Sequence, residues 1–120
     1  MSTTSQNGQG FTFLDVERAL DQVGDVAALH EMLDMLQDSL ERDVPKIAAL
    51  LAEGNVKSAN RLLHALKGFI PIFCIDALCD HVTRVETFSK TASAEDVTPL
   101  YAVLRNDLEK LQSDIDHYMG

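Results

Sequence analysis

The chain has 120 residues, 46% of them hydrophobic, which suits one domain with a single core and excludes a disordered chain. Ten Lys and Arg against nineteen Asp and Glu leave a net charge of −9, so neither nucleic acid nor an anionic membrane surface is an expected partner. No apolar run reaches the roughly eighteen residues of a membrane helix, Met1 to Gly10 lacks the apolar stretch of a signal peptide, and two cysteines, Cys74 and Cys79, are too few for a disulfide scaffold.

Residues 1–10, rich in Ser, Thr, Gln and Gly, read as a flexible tail. From Phe11 onward the apolar residues fall on a helical period, and no alternating strand pattern persists. A short helix is expected near Phe13 to Gln22, ending at Val23-Gly24. Asp25 can cap a long second helix. Its apolar residues Leu29, Leu33, Leu36, Leu40, Val44, Ile47 and Leu51 are spaced 4, 3, 4, 4, 3 and 4, one stripe on one face. Pro45 lies inside that stripe and predicts a kink rather than an ending. Gly54 then stops the helix.

Asn55 can cap a third helix, with Ala59, Leu62, Leu63, Leu66, Phe69, Ile70 and Phe73 as its apolar set. Pro71 predicts a bend or an end at about Ile70. A fourth helix turns Leu78, Cys79, Val82, Val85 and Phe88 inward. The fifth has two possible starts, Ser93-Ala94-Glu95-Asp96 as a capping box or Thr98-Pro99 as N-cap and N1. It carries Leu100, Tyr101, Leu104, Leu108, Leu111, Ile115 and Tyr118 inward. Four long amphipathic helices with short connections predict an all-α fold, an antiparallel up-down four-helix bundle with a short additional N-terminal helix. At about 2 kcal/mol per large aliphatic side chain buried, such stripes outweigh local propensity defects.

Charge breaks the pattern in one place. Gly54 to Ile75, twenty-two residues, contain no Asp or Glu but include Lys57, Arg61 and Lys67, so the segment is +3 and the remainder −12. Lys57, Arg61, His64, Lys67 or Gly68, and Pro71 share one face of helix three, with Leu62, Leu63, Leu66 and Ile70 opposite. A neutral imidazole is a competent nucleophile near neutral pH, since its ordinary pKa is about 6.5. A lysine one turn away can neutralise an anion formed on it. A glycine one turn away leaves room for a bulky partner, at a cost of about 1 kcal/mol in a helix interior. Together these suit a histidine that accepts and releases a phosphoryl group.

His64-Ala65-Leu66-Lys67-Gly68 resembles the H-x-[LI]-K-G motif of histidine phosphotransfer (HPt) domains, the carriers of two-component phosphorelays. Val23-Gly24-Asp25 with Leu29 and Leu33 resembles the Gly-Asp start of the family's second helix. Glu53-Gly54-Asn55 resembles its A-x-G-D turn, and Leu78, Val82 and Val85-Glu86 fall where the family has L-x-x-x-C-x-x-L-E. The resemblance covers roughly Phe11 to Tyr118, so residues 11–120 are expected to be one HPt-like domain. Two departures stand out: Phe69-Ile70-Pro71 replace the family's small residues, and Cys74 stands where a second glycine is usual.

The resemblance implies that His64 takes a phosphoryl group from a receiver-domain aspartate and hands it to another receiver. Lys67 would steady the phosphoryl oxygens, and Gly68 would let the receiver's loops come close. Lys57, Asn60, Arg61 and Pro71 are the expected partner-binding residues. Response-regulator receiver domains are the expected partners, with a hybrid sensor histidine kinase upstream. The divalent metal would belong to the receiver, so no cofactor is expected here, and no independent enzyme activity, since there is no glycine-rich phosphate loop. A cytoplasmic, monomeric carrier is expected; Met1 and the polar tail mildly favour a free-standing chain over an excised domain of a hybrid kinase, and both readings stay open. The rival readings are a non-catalytic helical adaptor and the phosphoryl-accepting domain of a larger sensor or chemotaxis-type kinase. His30, His81 and His117 lack the Glu-x-x-His pairs of a di-metal bundle and read as surface or boundary residues. Cys74 and Cys79 read as small core hydrophobes, and a reducing compartment fits them.

Overall fold

The computed structural model describes residues 10–120; the expected flexible tail lies outside the described residues apart from Gly10. Those residues form five helices, α1 (Val16–Val23), α2 (Val26–Ala52), α3 (Val56–Phe73), α4 (Asp76–Ser89) and α5 (Ala94–Met119). Among them there is no strand, only an isolated antiparallel bridge between Leu14 and Cys74. The helix boundaries follow local chemistry. Asp25, Asn55 and Ser93 cap α2, α3 and α5, their side chains accepting from the backbone N–H of Ala28, Ser58 and Asp96 at 3.0, 3.2 and 3.1 Å. Gly24 and Gly54 take left-handed φ values of 90° and 80° at the ends of α1 and α2, where a side chain would be strained.

The expected stripe of α2 is buried along its whole length, from Leu29 to Leu51. The helix passes through Pro45 without ending. Packing spans the chain: α2 lies against α3 and α5, α4 against α3 and α5, and α1 against α2 and α3. Cross-helix hydrogen bonds mark the register. Gln37 Nε2 donates to Gln112 O at 2.9 Å, and the Tyr101 hydroxyl donates to Val44 O at 2.7 Å. Burial pushes the Tyr101 phenol far above its ordinary pKa, so it remains a donor at any working pH.

Several expectations need correction. α1 starts at Val16, not Phe13, because the backbone of Phe13 and Leu14 is taken by tertiary bonds and Asp15 becomes the N-cap. Pro71 does not end α3 at Ile70; the helix runs to Phe73, whose ring is buried in the core with Ile70. Of the two starts offered for α5, the Ser93 cap holds: the helix begins at Ala94, and the rival start at Thr98-Pro99 falls away with Pro99 inside the helix. Three residues expected inward are largely exposed: Phe69 (51%), Phe88 (40%) and Leu100 (43%). Each sits at the margin of its apolar stripe, where a neighbouring helix covers only part of the ring or chain. Cys74 is fully buried and Cys79 partly so, and burial pushes both thiols above their ordinary pKa. No helix among the described residues is long and apolar enough to cross a membrane.

Candidate functional site

α3 positions the site. Its leucines Leu63 and Leu66 are buried, which turns Lys57, Arg61, His64 and Gly68 outward on one exposed stripe. The His64 imidazole is 66% exposed. Nothing stands within 4 Å of where a Cβ on Gly68 would be, so the glycine is not required by packing within the chain.

Beneath the stripe lies a carboxylate that the sequence did not single out as functional. Glu86, on α4, is fully buried. Lys67 Nζ donates to its Oε1 at 3.0 Å, and Asn60 Nδ2 donates to its Oε2 at 3.2 Å. Lys90 Nζ lies 3.8 Å from Oε2, and His64 Nδ1 lies 3.5 Å from the same oxygen. Burial alone would raise the Glu86 pKa. The hydrogen bonds from Lys67 and Asn60, with the charges of Lys67 and Lys90, outweigh it and hold the carboxyl below its ordinary value. Glu86 is therefore an ionised group held under the imidazole.

This arrangement revises two assignments. Asn60 faces inward: its amide donates to Glu86 O at 3.1 Å and to Ser89 Oγ at 2.8 Å, so it joins α3 to α4 instead of facing a partner. Lys67 does not stand free over the stripe, because its ammonium is drawn to the buried carboxylate. Pro71 is half-buried, two turns beyond His64. Lys57 and Arg61 remain exposed, as expected.

An apolar margin adjoins the stripe on the α2 side. Met32, Met35, Leu36, Ser39, Phe69 and Phe73 line a groove between α2 and α3. Met35 and Phe69 are 68% and 51% exposed. At about 100° per residue, Gly68, Ala65 and Phe69 step progressively around α3 from His64 toward α2. The imidazole, the bare glycine and the apolar groove are thus one continuous surface. Among the described residues no three or more His, Cys, Asp or Glu side chains gather as for a metal ion.

No curated protein and no solved structure matches the chain. The Hpt domain model matches residues 31–114, more than two thirds of the sequence, and that span includes His64, Lys67, Gly68 and Glu86. Members are phosphocarrier modules of two-component phosphorelays that work with receiver domains. On this match, over a helical chain with one exposed histidine above a buried carboxylate, the chain belongs to the Hpt domain family.

Proposed function

We propose that His64 accepts a phosphoryl group from the aspartate of a response-regulator receiver domain and passes it to a second receiver. The observation that carries this reading is the exposed imidazole with its Nδ1 3.5 Å from the buried, ionised Glu86. With the Nδ1 proton facing that carboxylate, the lone pair sits on Nε2, which is turned to solvent. Nε2 attacks phosphorus in line. The N–P bond forms, the acyl-phosphate P–O bond breaks, and the aspartate leaves as carboxylate. The ring is left cationic with its proton on Nδ1, and Glu86 stabilises that charge. Lys67, one turn along α3 and bound to Glu86, is the cation we assign to the phosphoryl oxygens. Because the phosphoryl lies between two carboxylates of similar kind, transfer runs in either direction.

The docking face is the surface of α2 and α3 around His64. A partner of ordinary size covers about 800 Å² of each protein. Phe69 is five residues from His64, about 7.5 Å along the axis, so it falls inside any such footprint. The partner would meet Gly68 at the centre, the cations Lys57 and Arg61 on one side, and Phe69 with Met35 on the other. Pro71 lies at the edge. The metal needed for receiver chemistry is supplied by the receiver. A hybrid sensor kinase carrying a receiver is the expected source, and the chain acts as a cytoplasmic monomer over residues 11–120. The four long helices form an antiparallel up-down bundle. Pairs such as Gln37–Gln112 and Val44–Tyr101, which climb one helix while descending the other, support it.

The test is transfer from phosphorylated receiver domains. The wild-type chain should gain an acid-labile, alkali-stable label, and His64→Gln should gain none. Equal labelling of His64→Gln, or no transfer from any receiver of the source organism, would refute the proposal.

A further inference from the structure

A second histidine repeats the grammar of the first. His81 and Arg84 stand three residues apart on α4, as His64 and Lys67 do on α3. His81 Nδ1 is 2.7 Å from Asp107 Oδ2 on α5, a closer approach than His64 makes to Glu86. The His81 side chain is 16% exposed and Asp107 27%. Both His81 and Arg84 line an open groove of about 330 Å³ between α4 and α5, whose walls are Val85, Phe88, Leu100 and Val103. Arg84 is exposed and joins no ion pair among the described residues.

We infer that His81, Asp107 and Arg84 form a second phosphoryl-accepting site, one that takes the group from a small phosphoryl donor, with phosphoramidate as its probe, instead of from a protein. Asp107 holds the Nδ1 proton, which leaves the lone pair on Nε2 at the groove. Arg84, one turn away on the same ridge, is placed to meet the phosphoryl oxygens. The recessed ring sets the class of donor. An imidazole this covered is closed to the loops of a folded partner but open to a molecule a few atoms across.

The step balances without a co-reactant. Nε2 attacks phosphorus, the N–P bond to the ring forms, and the donor's P–N bond breaks. With phosphoramidate itself the leaving group is ammonia, which departs with the hydrogens it already carries. The ring becomes cationic, keeps its Nδ1 proton, and is stabilised by Asp107. The inference does not depend on His64, whose role is decided by receiver transfer.

The experiment uses the full chain carrying His64→Gln, incubated with potassium phosphoramidate and mapped by tandem mass spectrometry under alkaline conditions. His64 is largely exposed, so this substitution leaves the fold intact. His81, although recessed, is expected to take the label faster than the exposed His30 and His117, which the reagent reaches without a built site. Adding Arg84→Gln, also at an exposed position, should slow its formation about tenfold, as loss of one charge-stabilising donor does. An unlabelled His64→Gln chain, or a label confined to His30 or His117, would overturn the site. A His81 label formed at the same rate with Arg84→Gln would overturn the three-residue arrangement.

Discussion

Glu86 is the buried charge beneath His64. Four side chains converge on it: Asn60, His64 and Lys67 from α3, and Lys90 from the C-cap of α4. Glu86→Gln should cost about 1–2 kcal/mol, the worth of charge-assisted hydrogen bonds to a buried group. The pH dependence has a definite sign. A carboxyl held below its ordinary value gives stability that is complete above about pH 4.3 and drains away as pH falls through the folded-state value. Urea titrations should therefore find the wild type ahead of Glu86→Gln at neutral pH and the gap narrowing in acid; a gap that widened in acid would contradict the assignment. Gly68 separates docking from folding. A methyl group there meets open space and removes a helix glycine, so Gly68→Ala should stabilise the chain by about 1 kcal/mol. Under the proposed function the same methyl would stand in the receiver's docking face, so transfer from a phosphorylated receiver should slow by about tenfold or more, as hot-spot contacts do. Thermal melts and transfer rates measured on the one variant test both halves.

At the scale of elements, the helix stripes and caps were legible, since they depend on neighbours three and four residues away. What depends on distant partners was not. Phe13 and Leu14 fit a helical period, yet their N–H groups donate to Asp114 Oδ2 at 2.8 and 3.1 Å, and Thr12 N–H reaches Oδ1 at 3.3 Å. On the other side, Asp15 N–H donates to Phe73 O and Ile75 N–H to Phe13 O, at 2.8 and 3.0 Å. This strap ties the start of α1 to the end of α3 and to α5. It also accounts for α3 outlasting Pro71, because Phe73 and Cys74 are fixed from outside the helix. Asp114→Asn keeps the volume but replaces an all-acceptor group with one that must aim an NH₂ at backbone donors. A loss of about 1–3 kcal/mol is expected in denaturant unfolding, with hydrogen exchange at Phe13 and Leu14 rising more than in α2. A signal for Glu86 was present too. Val82, Val85, Glu86 and Ser89 share the buried side of α4, and a carboxylate on an apolar face needs a cation. The acid-free stretch of α3 supplies Lys67. Joining Lys67 to Glu86 requires the register of α3 against α4, which only the fold reveals.

For the molecule as a whole, net charge conceals a division of labour. The −9 total is +3 on the acid-free segment from Gly54 to Ile75 and −12 on the rest, so α3 has no acid of its own and borrows one from α4. The bundle thereby holds a buried carboxylate under the exposed imidazole of His64, with open glycine surface beside it. Under the proposed function, the fold would supply an oriented nucleophile and the receiver the activated phosphoryl group. The central claim concerns one nitrogen atom. Nitrogen-15-labelled chain, phosphorylated by a receiver domain, should show one-bond phosphorus–nitrogen coupling to Nε2 of His64, with Nδ1 still carrying its proton. Coupling to Nδ1, or to a nitrogen of another histidine, would contradict the account.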